Sequence, residues 1–146
     1  MFVLDDQEIV RRGVRALLET EPDIRVIGEA GTASSALAGI PALRPDVALL
    51  DVRLPDGDGV SVCREIRSRL PGIACLMFTA FNDDHAQLDS IMAGAAGYVL
   101  KQVRGSDLAA AVRTVASGQS LLDSRAASKV MARLLHGPGK PDRWPG

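Results

Sequence analysis

The chain has 146 residues, enough for one domain with a hydrophobic core and a short extension. Apolar residues make up 47% and charged residues 24%, as in ordinary globular proteins, and the net charge of −1 offers no electrostatic attraction to nucleic acids or anionic membranes. No apolar run is long enough to span a membrane, and the N-terminus has no signal-peptide pattern. We therefore expect a cytoplasmic protein that binds neither a membrane nor nucleic acid directly.

Short apolar runs alternate with longer amphipathic segments along most of the chain. Five of these runs predict strands, at Met1–Leu4, Arg25–Gly28, Val47–Leu50, Ile73–Phe78 and Gly97–Leu100. They show little polar alternation, which is typical of parallel strands that are covered on both faces.

Each predicted strand is followed by a predicted helix. The apolar face of the first helix is expected to carry Ile9 or Val10, together with Val14, Leu17 and Leu18. The other four are expected over Ser34–Leu43, around Val62–Leu70, over Asp83–Ala93, and from a cap at Ser106 through Leu108, Val112 and Val115. Five βα units with short, right-handed connections predict an α/β fold with an open, doubly wound parallel sheet.

A sixth helical pattern, from Ser124 to Leu135, has a single apolar stripe. This stripe can pack on its own chain or pair with a second chain, and we favour self-association. We expect one domain over residues 1–118, a linker with this extra helix over residues 119–136, and a flexible Pro- and Gly-rich tail over residues 137–146.

Polar residues stand where the predicted strands end. Asp5 and Asp6 follow the first strand, Asp51 the third, Thr79 the fourth and Lys101 the fifth. Because ligand sites of open α/β sheets form beyond the carboxyl ends of the strands, we expect these five side chains to converge.

Such a set is suited to phosphoryl chemistry on a carboxylate. Three adjacent carboxylates repel one another unless a cation lies among them, and hard oxygen ligands favour Mg²⁺. The cation and Lys101 would offset the charge that keeps a phosphorylated donor away from Asp51, and the Thr79 hydroxyl can donate to a phosphoryl oxygen. The turn after Asp51, which contains Pro55, can aim a backbone carbonyl, that of Arg53, at the metal.

The motifs resemble those of receiver domains of two-component response regulators. They are Val3-Leu4-Asp5-Asp6, Leu49-Leu50-Asp51 through Gly59, Phe78-Thr79-Ala80, and Gly94 through Lys101. Finer features, among them the segments from Asp5 to Gly13 and from Gly118 to Asp123, resemble the NarL/FixJ subfamily and within it the DosR/DevR dormancy regulators.

This resemblance implies a flavodoxin-like fold with strand order 2-1-3-4-5. It also implies that a sensor histidine kinase phosphorylates Asp51, that Asp6 and Asp51 ligate Mg²⁺ directly and Asp5 through water, and that Thr79 and Tyr98 rearrange together as a switch. A homodimer on activation and a helix-turn-helix output are further expectations. Residues 119–146 are too few for that output domain, so we expect DNA to be read by a part absent from this chain.

Other interpretations remain for the single residues and for the whole site. Asp5 and Asp6 alone could cap a helix, and Tyr98 could serve packing alone. A haloacid-dehalogenase-like enzyme would need a second Asp two residues after the nucleophile, where this chain has Arg53, so we expect no turnover of outside substrates. A flavodoxin-like cofactor module is disfavoured because two acidic residues in the first loop repel phosphate. A pseudo-receiver that binds partners without phosphorylation stays open.

Overall fold

The computed structural model describes residues 1–80 and 84–122, together with Ala132 and Leu135. Its strands are β1 (Phe2–Leu4), β2 (Gly28–Ala30), β3 (Val47–Asp51), β4 (Arg53–Leu54), β5 (Gly57–Asp58), β6 (Ala74–Thr79) and β7 (Gly97–Leu100). Its helices are α1 (Glu8–Leu18), α2 (Ala33–Leu43), α3 (Gly59–Arg69), α4 (Asp84–Met92) and α5 (Gly105–Ala116).

The main sheet has five parallel strands in the order β2-β1-β3-β6-β7. Counted without the two short strands β4 and β5, this is the predicted order 2-1-3-4-5, so the flavodoxin-like, doubly wound fold is confirmed. The order reverses between β1 and β3, and ligand sites of such sheets form at that switch point.

Two hydrophobic clusters cover the two faces of the sheet. One, around Leu50 and Met77, receives side chains of α2 and α3, and the other, around Leu49 and Leu76, receives those of α1 and α5. Neighbouring residues of β3 and β6 thus enter opposite clusters, as the pleat of a strand requires. Both faces are apolar, which explains why the strands lack polar alternation.

Several predicted boundaries and faces were wrong. Strand β2 lies at Gly28–Ala30 and not at Arg25–Gly28, because it is an edge strand whose extent follows its register with β1. In α1, Val10 rather than Ile9 packs against the core, together with the buried Val14 and Leu18, but Leu17 is exposed against the prediction. Ser106 does not cap α5, which begins at Gly105 after an N-cap residue without a side-chain hydrogen bond.

The predicted extra helix, Ser124–Leu135, lies outside the described residues except for two positions. Of these, Leu135 is exposed. The proposed division into a domain, a linker helix and a tail therefore stays a prediction. No helix in the described part of the chain is long and apolar enough to cross a membrane.

Candidate functional site

The carboxyl ends of β1 and β3 bring three carboxylates together. Oxygen atoms of Asp5, Asp6 and Asp51 lie within 4.8 Å of one another. Asp5 and Asp51 are buried, with 1% and 6% of their surface exposed, whereas Asp6 faces solvent. The strands position these residues because β1 and β3 are paired in parallel from Phe2↔Ala48 to Leu4↔Leu50, so both strands end at the same edge of the sheet.

Lys101 brings the positive charge to this cluster from the end of β7. Its Nζ lies 2.7 Å from Oδ2 of Asp5 and 3.4 Å from Oδ2 of Asp51. Its backbone N–H donates to the carbonyl of Thr79 at 2.7 Å, which fixes the direction in which the chain leaves the strand. Burial opposes the charged form of Lys101, but its close contact with Asp5 and its attraction to Asp51 outweigh burial and raise its pKa.

The buried position of Asp51 changes its acidity. Burial, and then the negative charge of Asp5, raise the pKa of Asp51 from 3.8 to about 6, although Lys101 acts in the opposite direction. Ionised Asp51 is therefore held at a cost in free energy that an additional cation would reduce.

The donor set fits a hard divalent cation. Oδ2 of Asp5 is buried and accepts no directed hydrogen bond in the described part of the chain, since its short contact with Lys101 is an ion pair of poor angle. A buried carboxylate oxygen whose close contact is an ion pair, next to two further carboxylates, is the kind of ligand that Mg²⁺ or Ca²⁺ prefers. The cluster alone does not select between these two ions.

A shallow pocket of about 260 Å³ opens onto the cluster. It is lined by Asp6, Gln7, Asp51, Arg53, Thr79, Ala80 and Lys101. Thr79 ends β6 and is 3% exposed, and it lies beside Asp51 together with the small residue Ala80 that follows it. A larger cavity, about 570 Å³, lies at the opposite, amino-terminal end of the strands and contains none of the predicted site residues.

The loop between β3 and α3 is tightly held. Arg53↔Asp58 and Leu54↔Gly57 pair as the two short antiparallel strands. At Gly59 an added Cβ would lie 1.9 Å from the carbonyl oxygen of Asp51, so only glycine permits this close approach. The loop thereby keeps Arg53 at the rim of the pocket.

Tyr98 lies apart from the pocket. It is half-buried on β7, paired in register with Met77, and packs against the hydrophobic cluster on the α2 and α3 face. Its proposed switching role stays a prediction.

Two sets of contacts at the site were not foreseen from the sequence. Asp56 accepts hydrogen bonds from the backbone N–H groups of Ala33 and Ser34, at 2.7 and 3.1 Å, and so ties the loop after Asp51 to the start of α2. These two bonds lower the pKa of Asp56. Arg11 of α1 donates to the carbonyl oxygen of Asp5 at 2.6 Å. The sequence signal for the latter was weak, namely an arginine outside the apolar face of the first helix.

Comparison with known proteins identifies the family. The profile of the response regulator receiver domain matches residues 1–113. The chain is 51% identical over its full length to the DNA-binding transcriptional activator DevR/DosR of Mycobacterium tuberculosis, and 38% identical over 136 residues, or 93% of its length, to the transcriptional regulatory protein LiaR of Bacillus subtilis. It spans 67% and 64% of these two relatives.

Solved structures agree with this comparison. A two-component response regulator of the LuxR family from Aurantimonas superposes with a TM-score of 0.81 and 29% identity, over 92% of this chain and 96% of that one. A CheY-like receiver domain protein from Methanospirillum hungatei superposes with a TM-score of 0.75 and 28% identity, over 81% and 93%. The chain belongs to the response regulator receiver domain family and is similar in sequence and fold to receivers of transcriptional regulators of the NarL/LuxR type.

Proposed function

We propose that the chain accepts a phosphoryl group on Asp51 from a sensor histidine kinase, with Mg²⁺ bound at the acidic cluster. The observation that carries this proposal is the convergence of Asp5, Asp6 and Asp51 within 4.8 Å, with Lys101 against two of them. In the transfer, a carboxylate oxygen of Asp51 bonds to phosphorus while the bond from phosphorus to the donor imidazole breaks, and the released imidazole takes up a proton.

The ligands proposed for Mg²⁺ are the carboxylates of Asp5, Asp6 and Asp51 and the backbone carbonyl of Arg53. The bound ion supplies positive charge that allows a phosphorylated donor to approach a carboxylate nucleophile. The buried oxygen of Asp5 without a directed hydrogen bond supports this assignment.

The protein's own residues have distinct roles in this proposal. Lys101 contacts Asp5 and Asp51, and it can turn from them to a phosphoryl oxygen once a bound cation also offsets the charge of these two carboxylates. Thr79 lines the same pocket, and its hydroxyl can donate to a second phosphoryl oxygen. Movement of Thr79 toward the phosphoryl group would leave space that Tyr98 can occupy, which is the proposed switch.

No turnover of outside substrates is proposed. The residue two positions after Asp51 is Arg53, which cannot act as a general base, so the acyl phosphate is expected to decay only by slow attack of water. A steady-state assay with a generic phosphatase substrate checks this, since rapid Mg²⁺-dependent turnover would favour a phosphatase instead.

The signal is expected to control a DNA-binding output and self-association in the cytoplasm. DevR/DosR is a DNA-binding transcriptional activator, and this chain spans about two thirds of its length, so the output is assigned to a region beyond the chain. Size-exclusion chromatography with light scattering, before and after phosphorylation, tests the homodimer; an unchanged monomeric mass in a fully phosphorylated sample would contradict it.

The phosphorylation itself is tested by intact mass after incubation with acetyl phosphate. We expect one phosphoryl adduct in the presence of Mg²⁺, much less in chelator, and none in Asp51→Asn. No adduct with any small donor or divalent metal would contradict the proposal and favour the alternative, a pseudo-receiver that binds partners without phosphorylation.

A further inference from the structure

Arg11 connects the acidic cluster to the neighbouring strand. Its Nη1 donates to the backbone oxygen of Asp5 at 2.6 Å, and its Nε donates to Oε1 of Glu29 at 3.1 Å. The other carboxylate oxygen of Glu29 contacts Nε of Arg15 at 3.0 Å. The Arg11 and Glu29 side chains are only 18% and 27% exposed, so this connection is largely shielded from water.

The carbonyl that Arg11 holds belongs to the peptide bond between Asp5 and Asp6. Its orientation sets the direction in which Asp6 leaves the strand, because the peptide unit is planar. Asp5 has further anchors, since its N–H donates to Ala30 and its Oδ1 accepts from the N–H of Gln7. The exposed Asp6 side chain forms no hydrogen bond within residues 1–80 and 84–122, so its position depends on the backbone that carries it.

The room for the guanidinium group is provided by Gly31. An added Cβ at Gly31 would lie 3.3 Å from Nη1 of Arg11 and 3.8 Å from the carbonyl oxygen of Asp5. Its φ lies outside the left-handed region, so the backbone there does not itself demand glycine. A Cβ at this position would be in tight contact with the guanidinium group, which would have to shift by a few tenths of an ångström.

We propose that Arg11 is a positioning residue, which holds the Asp5–Asp6 peptide so that the Asp6 carboxylate faces the cation. The inference rests on the proposed function, because it assigns Arg11 to the cation site used for phosphorylation of Asp51. A guanidinium group suits this task better than an ammonium group, because it donates to two acceptors in a fixed geometry. Groups that orient metal ligands in this way commonly change metal affinity about 10- to 100-fold when removed.

The test compares Arg11→Ala with Arg12→Ala. Arg12 follows on the same helix, and its 77% exposed side chain pairs with Glu8 on the protein surface. Two quantities are measured for each variant: the Mg²⁺ dissociation constant of the unphosphorylated protein by calorimetry, and the initial rate of phosphorylation by acetyl phosphate as a function of Mg²⁺ concentration. Thermal melts in chelator record any general loss of stability.

For Arg11→Ala we expect the Mg²⁺ dissociation constant and the half-saturating Mg²⁺ concentration to rise about tenfold. The rate at saturating Mg²⁺ should stay within about threefold of wild type, because Asp51 and Lys101 are intact. Arg12→Ala should match wild type in both quantities. Arg11→Lys keeps the charge and one donor, so it should give an intermediate Mg²⁺ affinity, and it serves as the test variant if Arg11→Ala fails to fold.

The outcomes separate this inference from the function on which it rests. A wild-type protein that neither binds Mg²⁺ nor becomes phosphorylated would overturn both. A wild-type protein that does both, with Arg11→Ala and Arg11→Lys lowering only the melting temperature and leaving the Mg²⁺ dependence unchanged, would overturn the positioning role of Arg11 alone.

Discussion

Replacing Asp51 with Asn is expected to stabilise the metal-free protein at neutral and alkaline pH. Burial and the neighbouring carboxylate of Asp5 raise the pKa of Asp51 to about 6, against an ordinary value of 3.8. The folded protein therefore holds the proton more tightly than the unfolded chain does. Its unfolding free energy falls as the pH rises through the interval between these two pKa values, and above pH 6 the ionised Asp51 imposes its full cost.

The size of the effect follows from the same two values. At about 1.4 kcal/mol per pH unit, the interval corresponds to roughly 3 kcal/mol, and we expect about 2 kcal/mol because the pocket opens to solvent. Asn has nearly the shape of a protonated Asp but no charge to desolvate. The gain should therefore be small at about pH 4, near the ordinary pKa of 3.8, and vanish below it, where Asp51 is protonated in both states.

The assay is urea denaturation of wild type and Asp51→Asn in chelator, at several values between pH 4 and 8. Asp107→Asn, an exposed carboxylate in the first turn of α5, is the matched control and should show no comparable gain. Addition of Mg²⁺ should narrow the difference, because the cation stabilises the ionised cluster of the wild type. If the wild type is as stable as Asp51→Asn at pH 8 in chelator, then ionised Asp51 does not destabilise the folded protein and the reasoning is refuted.

Three further experiments, with four substitutions, test the local geometry. Gly59→Ala should lower the melting temperature and cost on the order of 3 kcal/mol of stability, because its Cβ would meet the Asp51 carbonyl. The added Cβ of Gly13→Ala in α1 meets nothing within 4 Å, so this change should stabilise the protein by about 0.5–1 kcal/mol. Thermal melts compare the two variants. Asp56→Ala should speed hydrogen exchange at the start of α2, measured by mass spectrometry, and unchanged exchange there would argue against a stabilising role of its bonds to Ala33 and Ser34. Lys101→Met should raise the pKa of Asp51 above 6, since an opposite charge is removed, and carboxyl-carbon NMR in chelator would detect a contrary fall.

The parallel sheet and the convergence of the acidic residues were predictable from the sequence pattern, whereas the strand order followed from the resemblance to receiver domains. Apolar runs without polar alternation indicate a parallel sheet, and the residue after each run then falls at one edge of that sheet. The sites of Asp5, Asp51 and Lys101 followed from this rule alone, although they are far apart in the chain. The rule needs only the carboxyl ends of the strands that precede these residues, which the hydrophobic pattern marks clearly.

Edges and side-chain pairing were less predictable. The extent of β2 depends on its register with β1, and the apolar residues Val26 and Ile27 lie just before the paired segment. In α1 the helical period places Leu17 near the apolar face, yet its side chain lies at the surface, close to Gly105. Strand extent and helix burial depend on which elements pack together in space, and the residue spacing along a single helix does not contain that information.

The hydrogen bonds that support the site from residues outside the acidic cluster were the hardest to predict. Arg11 reaches Asp5 only because Glu29 on β2 lies beside α1, and Asp56 reaches α2 only because the loop after β3 turns toward it. Both pairs join residues from different elements, and a single charge in a sequence has many partners to choose from. These contacts are also the ones for which the structure adds most to the functional account.

The identity of the phosphorylated residue is the central claim, and borohydride trapping tests it most directly. After incubation with acetyl phosphate and Mg²⁺, hydride reduction of an aspartyl phosphate releases phosphate and leaves homoserine at the modified position. Peptide mapping should find homoserine at position 51 when donor and Mg²⁺ are both present, much less in chelator, and none without the donor. Homoserine at position 5 or 6 instead, or none in a sample whose intact mass shows a phosphoryl adduct, would contradict the assignment of Asp51 as the acceptor.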